Sequence, residues 1–176
     1  YNPDTQEFKH FNKESLPNLT SNIIKDIHEE DNNYWLATDG GGIVIFNKSK
    51  EHVESFYQYD ISKGHGISSN GVYCIFKDDQ GIFWIGTFDG GINVYNTNRK
   101  KFFHYTQEIG NITSLSHKSV LAFLQDHKGR IWIGTDGGGL NKFNRQRGTF
   151  EHFKSNAGFR NGLTSNAITS LFQDEA

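Results

Sequence analysis

The sequence predicts an all-β fold built from one four-stranded antiparallel unit that is repeated along the chain. A nine-residue segment of the type Trp-Ile-Gly-Thr-Asp-Gly-Gly-Gly-Leu occurs three times, at residues 35–43, 84–92 and 132–140. Each copy begins with a tryptophan, and consecutive tryptophans are 49 and 48 residues apart. A second marker of the type Leu-Thr-Ser-Asn recurs every 48 residues, starting at Leu19, Ile67, Leu115 and Leu163. Short apolar runs at a fixed period of this size are typical of the blades of a β-propeller.

Each unit begins with a short apolar run, which we name strand A, such as residues 72–76 and 120–124. The first of these reads Val-Tyr-Cys-Ile-Phe and is apolar on both faces, as expected for a strand that is covered on both sides. A polar turn ending in glycine follows, at residues 78–81 and 126–129. Glycine can adopt the positive φ that a tight hairpin requires, so the turn leads into an antiparallel strand B that carries the tryptophan.

The glycine-rich turn after strand B leads to strand C, which ends in an aromatic residue followed by asparagine, at residues 46–47, 95–96 and 143–144. Strand D is predicted at residues 102–105 and 150–153, with matches at residues 8–11 and, more loosely, 53–56. No helical period separates these runs. This pattern favours a propeller over a parallel β-helix, whose coils are shorter, and over leucine-rich repeats, which need a leucine ladder.

The repeat divides the chain into three complete blades with a partial blade at each end. We assign the end of a preceding blade, three whole blades and the first strand of a following blade to residues 1–11, 12–59, 60–107, 108–156 and 157–176. Closed propellers have about four to eight blades, so we expect a segment of a longer propeller and not a ring closed on itself. We expect its terminal strands to be covered by the rest of the parent propeller or by a second copy in a homodimer.

Composition excludes several classes of function. The 176 residues carry a net charge of −2 and have a pI of about 6.5, so no basic surface for nucleic acid is predicted. No run approaches the roughly 18 apolar residues of a membrane span, so this segment is not expected to insert into a membrane. A signal peptide, if the parent is exported, is expected outside this sequence. The single cysteine, Cys74, excludes an internal disulfide and a cysteine-based zinc cluster.

The repeat pattern resembles the two-component-regulator propeller repeat. The matching elements are Ser-Asn-x-Val-x-x-Ile, Asp-x-x-Gly-x-x-Trp-Ile-Gly-Thr and Gly-Gly-x-x-x-Tyr/Phe-Asn, and they extend over nearly the whole chain. Such repeats occur in the periplasmic sensor region of hybrid two-component regulators of Bacteroides-type bacteria. The resemblance implies a periplasmic segment that senses a ligand, often an oligosaccharide derived from a glycan, and signals to a histidine kinase outside this chain. It identifies a structural unit and not a ligand.

Three classes of function remain open. The first is the non-enzymatic sensor segment that the resemblance implies. The second is a scaffold for protein interaction or dimerisation that binds no small molecule. The third, a propeller glycan hydrolase or lyase, is disfavoured because the acidic residues follow the repeat instead of clustering at unique positions. We therefore predict no catalytic residue.

Features that recur in every blade are interpreted as structural. The glycine-rich turns lack the following helix of a phosphate loop and the several carboxylates of a calcium loop. Core packing between blades is favoured for the tryptophans, with stacking on a sugar as the alternative. The residues assigned to this structural repeat are Trp35, Trp84, Trp132, Gly41, Gly90, Gly91, Gly138 and Gly139.

Repeated ionisable residues are also expected to be structural. His10, His104 and His152 occupy equivalent positions on different blades, so they would be spread around a ring and cannot converge on one metal ion. We predict neither a metal nor a cofactor. Acidic residues that recur at the turn between strands A and B are expected to cap that turn: Glu30, Asp78, Asp126 and Asp174.

A ligand site is predicted where the repeat is broken. In an up-and-down blade, the turn from strand B to strand C and the loop from strand D to the next strand A emerge on the same face. Two departures lie there, Phe88-Asp89 and His117-Lys118, and the loops add aromatic and polar groups. Binding specificity is commonly located in variable loops on a rigid frame. The predicted ligand-binding residues are Phe88, Asp89, His117, Lys118, Tyr57, Tyr59 and Arg160, with His65 and Phe159 nearby; repeat drift on solvent-facing loops is the alternative.

Overall fold

The computed structural model describes residues 2–62, 66–97, 101–156 and 162–174. Twelve strands form in that part of the chain: β1 (Ile24–Glu30), β2 (Asn33–Thr38), β3 (Gly42–Asn47), β4 (His52–Tyr57), β5 (Val72–Lys77), β6 (Ile82–Thr87), β7 (Ile92–Asn96), β8 (Lys101–Tyr105), β9 (Val120–Gln125), β10 (Ile131–Thr135), β11 (Leu140–Asn144) and β12 (Thr149–Phe153). They make three four-stranded antiparallel sheets, each in chain order, and the sheets do not close into a ring. The predicted blade of strands A to D is confirmed.

The three blades share one strand register. Trp35 lies opposite Ile45, Trp84 opposite Val94 and Trp132 opposite Lys142. Each strand A also contains a bulge, because the pairing with strand B skips one residue. The bulge residues occupy equivalent positions in the three blades: Lys25, Tyr73 and Leu121. Strand β5 contacts both β1 and β9, so the three A strands lie side by side along one edge of the array.

The hydrophobic core lies between the blades. The first cluster joins blades one and two, where the rings of Trp35 and Phe83 are stacked at 4.3 Å between centroids and 15° between planes. The second cluster joins blades two and three, where Trp84 meets the edge of Phe143 at 5.1 Å. Burying each large apolar side chain contributes about 2–3 kcal/mol. The blades therefore stabilise one another, as expected for a repeat array.

The structure differs from the prediction at both ends of the chain. Residues 8–11, predicted as a strand D, form no strand, although an isolated bridge joins Asn2 to Glu7. That bridge corresponds to the closing pair Asn47 and His52 of blade one. A strand D bonds to strand C, and only the last residues of a strand C precede it here. The predicted strand A after residue 166 has likewise no strand B to pair with and forms a single bridge, Asp136 to Ala167.

The face of blade one that points away from blade two is partly open to solvent. Ile24 and Ile27 are 38% and 58% exposed, whereas their equivalents in blade two, Val72 and Ile75, are 0% and 6% exposed. The segment before β1 covers another part of this face through Leu16 and Leu19. None of the described residues forms a helix long and apolar enough to cross a membrane.

Candidate functional site

The glycine amides of the turns between strands B and C bind neighbouring elements of the fold. The last glycine of each turn has a positive φ, and its amide donates to the start of a strand A in the next repeat: Gly42 to Asn70 at 2.9 Å, Gly91 to Lys118 at 2.8 Å and Gly139 to Asn166 at 2.8 Å. A Cβ at Gly91 would lie 2.3 Å from the carbonyl oxygen of Tyr105. These amides are therefore occupied, and the turns fix one repeat to the next.

The preceding glycine of each turn allows close packing. A Cβ at Gly41, Gly90 or Gly138 would lie 2.4–2.5 Å from the hydroxyl oxygen at the start of the strand A in its own blade. Those hydroxyls belong to Thr20, Ser68 and Ser116. No side chain fits there, which explains the glycine at each position.

The turns between strands A and B are capped by carboxylates, as predicted for Asp78 and Asp126. One oxygen of Asp78 accepts from the amides of Gln80 and Ile82, and the other accepts from the indole of Trp84 at 2.7 Å. Asp126 bonds its own turn and Trp132 in the same way. Burial alone would raise the pKa of Asp126, but the hydrogen bonds from Trp132, Arg130 and Lys128 hold that pKa well below its usual range.

The tryptophans differ in what they expose. Trp84 and Trp35 are 2% and 8% exposed and are enclosed between blades, so neither offers a ring face to a sugar. Trp132 is half-buried, and the cations of Arg130 and Lys142 lie 5.5 and 5.7 Å from its ring. The ring of Trp132 lies on the side of blade three that points away from blade two.

Four of the predicted ligand-binding residues lie in two segments that are joined by a backbone hydrogen bond. Phe88 and Asp89 are exposed in the turn between β6 and β7. The bond from Gly91 to the carbonyl oxygen of Lys118 places this turn beside the start of β9. The ring of Phe88 lies against Tyr73 of its own blade, whereas His117 lies against Gly137 and Gly138 of blade three.

His117 has a structural explanation. Its Nδ1 accepts a hydrogen bond from the amide of Ser119 at 3.2 Å. The hydroxyls of Ser21 and Ser69 accept the equivalent bonds in blades one and two, both at 3.1 Å. The imidazole therefore replaces the repeat's serine in the same turn, while its other nitrogen lies near Gly137.

Lys118 replaces an asparagine that has a structural role in the other repeats. Asn22, Asn70 and Asn166 each accept a hydrogen bond from the backbone of the preceding loop at 2.7–2.8 Å. A lysine ammonium has no acceptor, so it cannot make this bond. The substitution leaves an exposed cation on the predicted face.

Of the predicted loop residues, Tyr57 differs in position from the prediction and Tyr59 lies in the loop as predicted. Tyr57 was predicted in a loop but is the last residue of β4, and its ring packs against Trp35 and Phe102. Burial, with a hydrogen bond to the Tyr95 hydroxyl at 3.5 Å, raises the pKa of Tyr57. Tyr59 is 49% exposed in the loop. The remaining residues lie outside the described part of the chain: Arg160, His65 and Phe159.

Three side chains that the sequence reasoning missed lie beside Phe88. The ring of Tyr73 is 5.5 Å from that of Phe88. The ammonium of Lys25 lies 4.7 Å from the Tyr73 ring centroid and 3.8 Å from Oδ2 of Asp39. We name these four residues, from blades one and two, the rim cluster. Lys25 and Tyr73 are the bulge residues of their strands. The sequence pattern predicts a regular strand A, so it did not indicate that the bulge turns these side chains toward the turns between strands B and C.

Two of the repeated histidines, His104 and His152, lie in different surroundings. Nε2 of His152 lies 2.7 Å from the carbonyl oxygen of Ser114, and burial lowers the pKa of His104. Across the residues that the structure describes, no group of three or more histidine, cysteine or acidic side chains is placed to hold a metal ion.

Two stretches of the chain match the family model of the two component regulator propeller, at residues 66–89 and 114–137. Both matches begin before strand A and end in the turn after strand B, so they have the same phase in blades two and three. These two units are similar to the two component regulator propeller repeat.

Two solved structures have the same fold as this chain. One is the extracellular domain of the hybrid two component system BT4673 from B. thetaiotaomicron, with a TM-score of 0.75 and 21% sequence identity. The aligned region covers 97% of this chain and 21% of that chain. The extracellular domain of the hybrid two component system BT3049 from the same organism has a TM-score of 0.69 and 23% identity, covering 83% and 20%. These likenesses support the fold.

A curated relative is larger than this chain. Histidine kinase P4 of Formosa agariphila is 27% identical over 117 residues, which are 66% of this chain and 8% of that protein. The chain therefore spans less than a tenth of the length of that relative.

Proposed function

We propose that this chain, which contains two units similar to the two component regulator propeller repeat, is part of the extracytoplasmic sensor region of a hybrid two-component regulator. The observation that carries the proposal is the matching phase of the two repeats at residues 66–89 and 114–137. The relatives support it, since two are extracellular domains of hybrid two component systems and one is a histidine kinase. A periplasmic location and a kinase in the parent protein are parts of the same proposal.

The proposed ligand is an oligosaccharide derived from a glycan. A sugar has an apolar C–H face and a rim of hydroxyls, so its binding site combines exposed aromatic rings with hydrogen-bonding groups. Phe88 is 52% exposed, and Asp89 and Lys118 are exposed as well. This combination, on turns held by a rigid frame, supports sugar binding at this face.

We propose that this segment is not an enzyme. Glycoside hydrolysis needs two carboxyl groups about 5–10 Å apart across a bound substrate. The carboxylates of Asp78 and Asp126 are occupied by bonds to their own turns and to tryptophan. They lie at the opposite end of the strands from Phe88. The segment would transmit binding through the packing of its blades.

A second candidate function is a scaffold for interaction with the rest of a propeller or with a second copy of this chain. The exposure of Ile24 and Ile27 at positions that are buried in blade two supports it. A scaffold of this kind would bind no oligosaccharide.

Calorimetric titration of the full protein that carries this chain, together with its autophosphorylation rate, tests the proposal. We expect at least one oligosaccharide from a panel of plant and host glycan fragments to bind and to change the rate of phosphorylation. If no fragment binds while the protein remains folded, oligosaccharide sensing is wrong and the scaffold is favoured.

A further inference from the structure

The rim cluster joins a departure from the repeat, Phe88, to the bulge position of strand A, which differs in all three blades. The B-to-C turn has aspartate at Asp39 and Asp136, but blade two has Phe88 there. The bulge of strand A has Lys25 in blade one and Leu121 in blade three, but blade two has Tyr73. The two aromatic rings lie 5.5 Å apart and are inclined by 44°. The aromatic residue that replaces aspartate in the turn is therefore in contact with the aromatic residue at the bulge of the same blade.

Phe88 remains 52% exposed despite this contact. An exposed phenyl ring has an unfavourable hydration free energy that the repeat's own aspartate would avoid. The ring of Phe88 and its neighbour Tyr73 together offer aromatic surface on which a ligand could stack.

Polar groups lie at the edge of the aromatic pair. The ammonium of Lys25 is 3.8 Å from Oδ2 of Asp39, a distance longer than a hydrogen bond, and both side chains are more than a third exposed. The ammonium thus retains donors and the carboxylate retains acceptors. A Cβ at Gly71 would lie 3.3 Å from Cβ of Phe88 and 4.0 Å from Oδ1 of Asp39, so the backbone of Gly71 forms the floor between them.

We propose that the rim cluster binds one residue of a neutral oligosaccharide, an inference that rests on the proposed sensor function. The C–H face of the sugar packs on Phe88 and Tyr73, Lys25 donates to a hydroxyl, and Asp39 accepts from another. The charges of Lys25 and Asp39 cancel, and those of Lys118 and Asp89 on the adjoining surface cancel as well. A uronic or sulfated sugar would therefore find no excess of positive charge.

The test uses substitutions to the residues that occupy the equivalent positions in the other blades. Those residues are compatible with the same fold, so we expect the variants to fold. Phe88→Asp introduces the residue of blades one and three, and Tyr73→Leu introduces the residue of blade three. Phe103→Ala is the matched control, because Phe103 is 41% exposed and has the ammonium of Lys101 at 5.7 Å, but lies on β8 away from the cluster. The probes are hexasaccharides of β-1,4-linked glucose, xylose and mannose and of α-1,4-linked glucose, with oligogalacturonate and a heparin hexasaccharide as charged probes.

We expect a neutral probe to bind to the full protein, with the affinity reduced about ten-fold or more by Phe88→Asp and by Tyr73→Leu and changed less than about two-fold by Phe103→Ala. Binding of a charged probe alone, or neutral binding that both cluster variants leave unchanged, would overturn the inference and leave oligosaccharide sensing intact. Binding of no probe would count against both, and the thermal unfolding midpoint of each variant excludes misfolding as the cause.

Discussion

The carboxylate of Asp78 accepts hydrogen bonds from two different blades. Trp84 of its own blade and Arg145 of blade three both donate to Oδ2, at 2.7 and 2.9 Å. The Asp78 side chain is fully buried, and that of Arg145 is 26% exposed. A buried carboxylate that loses its cation keeps the cost of desolvation without the compensating attraction. This pair therefore links the stability of two neighbouring blades.

Replacing Arg145 with methionine removes the cation and keeps most of the side-chain length. We expect the free energy of unfolding to fall by about 3 kcal/mol, measured by urea denaturation at pH 7. Arg147→Met is the control, since Arg147 is exposed on the same turn. Equal denaturation midpoints for the two variants would contradict a role for Arg145 in joining the blades.

Asp126 predicts a pH dependence of stability. Its folded-state pKa is depressed below the ordinary value of about 3.9, so its contribution is complete above about pH 4 and is lost as the pH falls through the folded-state pKa. Asp126→Asn should therefore lower the free energy of unfolding at pH 7 and flatten its decline on acidification. Denaturation between pH 2 and pH 7 measures this, with the exposed Asp136→Asn as control. Parallel pH profiles for wild type and Asp126→Asn would show that the prediction is wrong.

At the scale of elements, the repeat pattern was sufficient to predict the strands of the three complete blades. Strand A was predicted at residues 72–76 and 120–124, and the structure has β5 and β9 one residue longer. The pattern could not predict the bulges, because a skipped residue leaves the apolar content of a short buried strand unchanged. That is why the sequence indicated Phe88 and not the bulge residue Tyr73. Tyr57 was misplaced because a strand end and a loop start have the same composition.

The turn after strand B gives a test of how tightly the repeats are joined. Gly91 and Gly110 have similar φ, +76° and +83°, but a Cβ would be 2.3 Å from the Tyr105 carbonyl oxygen at Gly91 and would meet nothing within 4 Å at Gly110. Gly110→Ala should cost about 1 kcal/mol from backbone strain alone, and Gly91→Ala about 2 kcal/mol more because of the clash. Thermal and urea unfolding measure both values. Similar losses for the two variants would show that the turn is not packed as described.

At the scale of the whole molecule, the face of blade one that contains Ile24 and Ile27 is the clearest sign of a further contact. Its apolar positions match those that blade two buries against blade one. Because a propeller buries the two faces of each blade against its neighbours, we propose that another blade, from the parent protein or from a second copy, covers this face.

Charge at this face should reveal whether it is covered. We expect Ile27→Lys to destabilise the full protein nearly as much as Ile75→Lys, the equivalent change at a position that is 6% exposed. Each places an unpaired ammonium in an apolar contact, which costs several kcal/mol. Thermal unfolding of the two variants measures the comparison, and a midpoint for Ile27→Lys equal to that of wild type would show that the face remains open.

The central claim is that this propeller segment contributes to oligosaccharide sensing through the surface around Phe88. The most direct measurement is the autophosphorylation rate of the full protein with and without the oligosaccharide that binds most tightly, in wild type and in Phe88→Asp. The account predicts a ligand-dependent change in rate for wild type that requires about ten-fold more ligand in the variant. An identical ligand dependence in both proteins would contradict it.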